Sequence, residues 1–114
     1  MAETSDWNSQ MRRGLLELCI LGLLKKRPSY GYEIVTRLAE EPNLAAQEGT
    51  VYPLLRRLRK LGWLETYWEE SDSGPPRQYY RLSSEGSRYL TALRKEWKQL
   101  TRSVEALVGG GRNN

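Results

Sequence analysis

The sequence predicts a mainly α fold that carries a small antiparallel β hairpin and ends in a long C-terminal helix. Leucine-rich segments with helical spacing fill the first half, and two aromatic strand segments flank a Gly-Pro turn. From Leu90 to Leu107 apolar residues recur at alternate spacings of three and four. A length of 114 residues, 39% hydrophobic and 28% charged, is ordinary globular usage and supplies one core. The expected layout is an N-terminal extension over 1–11, a compact unit over 12–82, a terminal helix over 83–108 and a flexible tail over 109–114, with both ends fraying.

The first helix is expected over Arg12 to Leu24, a proline-free leucine-rich run whose apolar residues cover most of the circumference and so demand burial. Lys25, Lys26 and Arg27 suit a helix C-terminus, and Pro28 disfavours helical backbone at Arg27. A second helix follows from about Tyr30 to Glu40, capped by Ser29, with Ile34, Val35 and Leu38 as its apolar stripe. Pro42 and Asn43 end it. The third helix, about Glu48 to Leu61, sets Val51, Leu54, Leu55, Leu58 and Leu61 on one arc at roughly 100° per residue. Gly49, Tyr52, Pro53, Arg56 and Lys60 occupy the opposite arc, with Arg57 and Arg59 at its margins. Pro53 lies near enough to the helix start to be tolerated.

Gly62 stops that helix, after which Trp63 to Trp68 and Gln78 to Leu82 read as strands joined by a turn whose tip holds Asp72, Ser73, Gly74, Pro75 and Pro76. Three helices and a hairpin in this order describe a winged helix-turn-helix. Ser83 or Ser84 caps the last helix and Glu85 favours its first turn. Leu90, Leu93, Trp97, Leu100, Val104 and Leu107 then form one seam, and a helix from Ser84 to Leu107 would extend roughly 36 Å at 1.5 Å per residue. A helix folded back on its own domain shows the same repeat, but that length favours pairing with a second copy, a homodimer.

Eighteen Lys and Arg against fourteen Asp and Glu give a net charge of +4, which makes polyanions plausible partners. A helix with a basic face can enter the major groove while a hairpin wing approaches the neighbouring backbone. The candidate DNA contacts are Gln47, Thr50, Tyr52, Pro53, Arg56, Arg57 and Lys60 on the helix, and Arg77 beside the wing; Arg81 instead completes the strand surface. The chain has no histidine and a single cysteine, and it shows neither a metal-ligand cluster nor a phosphate-binding glycine loop, so no cofactor or enzymatic chemistry is expected. Cys19 lies in an apolar run as a packing residue and fits a reduced, cytoplasmic setting. Leu15 to Leu24 is too short to span a bilayer. An RNA-binding module using stacked Trp and Tyr, or a winged helix used for protein contacts alone, are the competing readings.

The segments Tyr30-Gly31-Tyr32-Glu33-Ile34, Gly49-Thr50-Val51-Tyr52-Pro53-Leu54-Leu55-Arg56-Arg57-Leu58 and Tyr79-Tyr80-Arg81-Leu82-Ser83 resemble the PadR family of transcriptional regulators. The resemblance covers nearly all residues from Arg12 to Val108 and is closest to a short subfamily with one C-terminal helix. It implies a dimer whose third helix reads operator DNA, acting as a repressor. The family pattern sets basic residues around the wing glycine, whereas this chain has Pro75, Pro76 and Gln78 and keeps Arg77, which implies a differently aimed wing contact. Trp97 matches a central tryptophan that holds small planar or aromatic effectors in some relatives. Its apolar area serves a structural seam equally well, so both roles stand open.

Overall fold

A computed structural model describes residues 2–109. Helix α1 spans Ala2–Lys26, strand β1 Ser29–Tyr30, helix α2 Gly31–Ala39 and, after a 3-10 turn at Pro42–Leu44, helix α3 Glu48–Lys60. Strands β2 (Leu64–Ser71) and β3 (Gly74–Leu82) make the wing, and α4 (Ser84–Val104) runs into a π-helical turn at Glu105–Gly109. The three strands are antiparallel in the order β1-β3-β2.

The core is the meeting of the three helical stripes with the root of the wing. Leu16, Ile20, Leu21 and Leu24 of α1 pack with Ile34, Val35 and Leu38 of α2, and with Val51, Leu54, Leu55 and Leu58 of α3. Leu64, Tyr80 and Leu90 close the cluster from the sheet and α4. The expected apolar arcs therefore hold, except at Leu61, which is exposed. Leu61 is the C-cap, one position beyond α3, and Gly62 then turns the chain with φ at 86°, so no further turn of helix follows to cover Leu61. Gly62 N–H donates to Arg59 C=O and Trp63 N–H to Leu58 C=O, a pair of bonds that closes α3 and needs the left-handed glycine.

Several boundaries differ from the sequence expectation. Helix α1 begins at Ala2 and not at Arg12, because residues 2–11 contain neither proline nor glycine and simply propagate a helix already nucleated by its buried half. The proposed fraying of 110–114 lies outside the described residues. Ser29 does not cap α2: it is fully buried in β1, pairs across to Tyr80, and its hydroxyl accepts from Arg37 Nη1 at 2.6 Å, while Tyr30 occupies the cap position. The wing tip is confined to Asp72 and Ser73, since Pro75 and Pro76 belong to β3 and together oppose Glu70 at an irregularity in the ladder. A bulge is where a sheet tolerates residues without an amide hydrogen. The terminal α-helix ends at Val104, leaving Leu107 in the π-helical turn.

Ser83, of the two candidate caps, starts α4. Its hydroxyl accepts from Gly86 N–H at 2.9 Å and donates to Gly62 C=O at 2.7 Å, while its own N–H donates to Trp63 C=O. Trp63 stacks on Tyr89 with ring centroids 3.6 Å apart. The root of the wing, the end of α3 and the start of α4 are thus joined in one knot. Cys19 is half-buried beside α2, and burial, with Glu41 second, pushes its thiol above the ordinary value, consistent with a packing role.

Candidate nucleic-acid interface

Helix α3 buries one stripe and turns the other outward. Gln47, Thr50, Pro53, Arg56 and Lys60 are exposed along that outer side and Tyr52 is half-buried at its edge. Among the described residues Arg56, Arg59 and Lys60 form no ion pair. Their charges therefore face solvent uncompensated, as a phosphate-binding surface requires. Pro53 interrupts nothing, because the carbonyl its missing amide would have served belongs to exposed Gly49, which water can reach.

Two of the candidate contacts have work inside the fold. Thr50 Oγ1 accepts from Gln47 N–H at 3.2 Å and donates to Gln47 C=O at 2.9 Å, so its hydroxyl proton is committed to the start of α3. Arg57 reaches back to Glu17 of α1 as an ion pair and points away from the Arg56 and Lys60 side. Arg57 is accordingly an α1-to-α3 tie, a competition that helical-wheel position alone cannot reveal.

The wing brings Arg77 toward the same region. Its guanidinium lies over the Tyr30 ring at 4.4 Å, Tyr30 meets Tyr79 edge to face at 5.5 Å, and Tyr79 stacks on Tyr67 at 5.6 Å. Arg81 sits over Tyr67 at 5.1 Å and pairs with Glu65 at 3.1 Å, so it finishes the strand surface as expected. Tyr30, Tyr79 and Tyr67, one from each strand, form one ladder with an arginine at each end, which fixes the wing against the start of α2.

Sequence reasoning placed Gly31 and Tyr32 in a family-like segment but gave neither a role in the site. A Cβ on Gly31 would fall 2.6 Å from Cε1 of Tyr52, so glycine is what lets the Tyr52 ring lie against α2. Tyr32 stands beside it, 56% exposed. Burial raises the Tyr52 hydroxyl above its ordinary value, helped by Glu48 and then by the neighbouring Tyr80 and Tyr32 hydroxyls, and keeps it a hydrogen-bond donor.

The predicted seam on α4 divides in two. Leu90 is 9% exposed in the chain's own core and Leu93 packs partly against it, so these two expected seam residues serve that core. They hold α4 to α1 because the first two turns of α4 start from the Ser83 knot and lie along the domain. Beyond them the helix leaves the domain: Trp97 is 43% exposed, and Leu100, Val104 and Leu107 are more so. Trp97 and Arg94 edge a groove of about 490 Å³ whose floor is Leu18, Leu23, Leu38 and Leu44.

Three packed helices, an outward basic side on the third and a two-stranded wing beside it define a winged helix-turn-helix DNA-binding protein. The model of the transcriptional regulator PadR-like family matches residues 20–92, and the chain belongs to that family. It is 44% identical to a PadR-like transcription factor from Bacteroides fragilis over 90% of this chain and 99% of that one, with a TM-score of 0.74. A PadR family transcriptional regulator from Eggerthella lenta is 36% identical over 94% and 93% of the two chains, with a TM-score of 0.81. An uncharacterized protein of Lysinibacillus sphaericus is 35% identical over 104 residues, 90% of this chain and 95% of its own. The protein is therefore a transcriptional regulator of the PadR family. No described helix is long and apolar enough to cross a membrane.

Proposed function

We propose that the protein is a sequence-specific, double-stranded DNA-binding repressor that acts in the cytoplasm as a homodimer and answers to a planar aromatic effector. The observation that carries the DNA reading is the outer side of α3, where Arg56, Arg59 and Lys60 stand exposed without ion-pair partners among the described residues. Gln47, Tyr52 and Arg56 supply hydrogen-bonding groups for base edges or phosphates, and Lys60 neutralises backbone charge. Arg77 contributes from the wing, with a reach limited by its stacking on Tyr30. Repression rests on the family resemblance: a regulator seated on an operator excludes polymerase from overlapping sequence.

The dimer reading is supported by the unpartnered run of Trp97, Leu100, Val104 and Leu107 on a helix that projects from a molecule 58 Å long. The effector reading is supported by the half-exposed indole of Trp97 above an apolar groove. The tyrosines of the sheet weigh against single-stranded RNA, since their rings are spent on one another and beneath Arg77 and Arg81.

Selection from a random duplex library, followed by titration of the recovered operator and of matched single-stranded RNA at several salt concentrations, tests this. The expected result is a palindromic duplex site, bound with a steep inverse dependence on salt. Equal affinity for unrelated duplexes, or preference for the RNA, would refute sequence-specific duplex recognition.

A further inference from the structure

Between the start of α2, the middle of α3 and β3 of the wing lies a cavity of about 330 Å³. Its polar lining is Tyr30, Tyr32, Tyr52, Tyr80, Gln78 and Arg77, and no carboxylate lines it. Tyr80 is 8% exposed, and its hydroxyl makes no hydrogen bond to any described residue. Tyr80 lines the cavity, so its hydroxyl is open to a polar group that enters there. Tyr32, Tyr52 and Tyr80 come from three different elements and all line this one cavity.

Phenols, an amide and a guanidinium together offer several donors and one full positive charge, the set that an oxyanion takes and a neutral ligand does not need. Arg77 has Glu69 opposite it in the ladder yet forms no ion pair with it, and the stacked Tyr30 ring holds its guanidinium at the cavity. The nearest carboxylate on α3 is Glu48, one turn before Tyr52 and outside the lining. Tyr52 is followed one turn later by exposed Arg56, so an anion seated in the cavity continues the outer side of α3.

We propose that this crease between recognition helix and wing seats one backbone phosphodiester of the bound duplex, held by the Arg77 guanidinium and the hydroxyls of Tyr32, Tyr52 and Tyr80. Tyr30 is a positioning residue that acts through Arg77. The proposal rests on the DNA-binding reading above and adds to it a fixed point of register: Tyr52 and Arg77 locate the protein on the backbone and leave base discrimination to Arg56 and Gln47.

The test uses the full-length protein and the selected operator, synthesised with a neutral methylphosphonate at each phosphate in turn. Wild type should lose about tenfold in affinity at one phosphate of each half-site, the scale of a charge-assisted contact. Tyr52→Phe and Arg77→Ala should bind the unmodified operator more weakly and lose less than wild type when that same phosphate is neutralised, Arg77→Ala least of all, while staying as sensitive as wild type at the others. Tyr30→Phe, which keeps the ring under Arg77, should behave as wild type, and Tyr30→Leu should resemble Arg77→Ala. Losses that simply add at every phosphate, or variants that bind as wild type does, overturn the seat while leaving duplex recognition intact. Failure of wild type to bind any duplex selectively overturns the wider reading instead.

Discussion

Arg56 and Lys60 sit one turn apart on the same exposed side of α3, yet their charges are expected to do different work. Arg56→Ala should cost about 1–3 kcal/mol of operator affinity and flatten preference at one base pair if its planar fork meets a base edge. Lys60→Ala should weaken all duplexes alike and lower the logarithmic salt slope by about one. Titrations on operator and scrambled duplex separate the two, and identical behaviour of both variants and wild type would remove α3 from the interface. Gly31→Ala should displace the Tyr52 ring, whose Cε1 stands 2.6 Å from the added carbon, and so lower operator affinity more than it lowers the unfolding midpoint. At this scale the exposed polar positions of α3 were legible from the helical wheel, because periodicity fixes which side is buried. The Arg57 ion pair with Glu17 was not, because its partner is forty positions away and only packing of α1 on α3 brings them together. Gly31 was hidden for the same reason: nothing local distinguishes a glycine that admits a neighbouring ring.

The elements themselves followed from apolar spacing wherever a stripe was long. All four principal helices and both wing strands are present in the expected order, but α1 starts ten residues earlier than its apolar run and β3 takes in prolines expected in the turn. Strand β1 escaped because two residues carry no period, and its Ser29 has the chemistry of a helix cap. Only burial against Tyr80 and the bond from Arg37 decide between those fates. Ser83 is the reverse case, a cap chosen correctly whose second bond, to Gly62 C=O, could not be read from neighbours in sequence. Ser83→Ala removes the cap and strands a carbonyl at the root of the wing, and should destabilise the fold by about 1–3 kcal/mol. Urea unfolding measures this; a change below a few tenths would mean that the knot between α3, β2 and α4 contributes nothing.

For the whole molecule, the decisive feature is the divided role of α4: its first turns belong to the chain's own core and its remainder projects apolar residues into solvent. The proposed dimer would bury Leu100 and Val104 across its twofold axis, and it predicts that Leu100→Asp combined with Val104→Asp yields folded monomers in sedimentation, with operator affinity greatly reduced because half-sites are then bound singly. An unchanged dimer mass would assign the interface elsewhere. The three-four repeat made this projection legible, whereas the point at which α4 parts from the domain depended on where Ser83 and Gly86 anchor it. Gly86 has room for no side chain, since a Cβ would lie 2.1 Å from the Trp63 carbonyl oxygen. In the proposed dimer that contact works like the rivet of a caliper. It sets the angle between each reading head and the shared arm, so the separation of the two recognition helices, and with it the number of base pairs between half-sites, is gauged at a joint that never touches DNA.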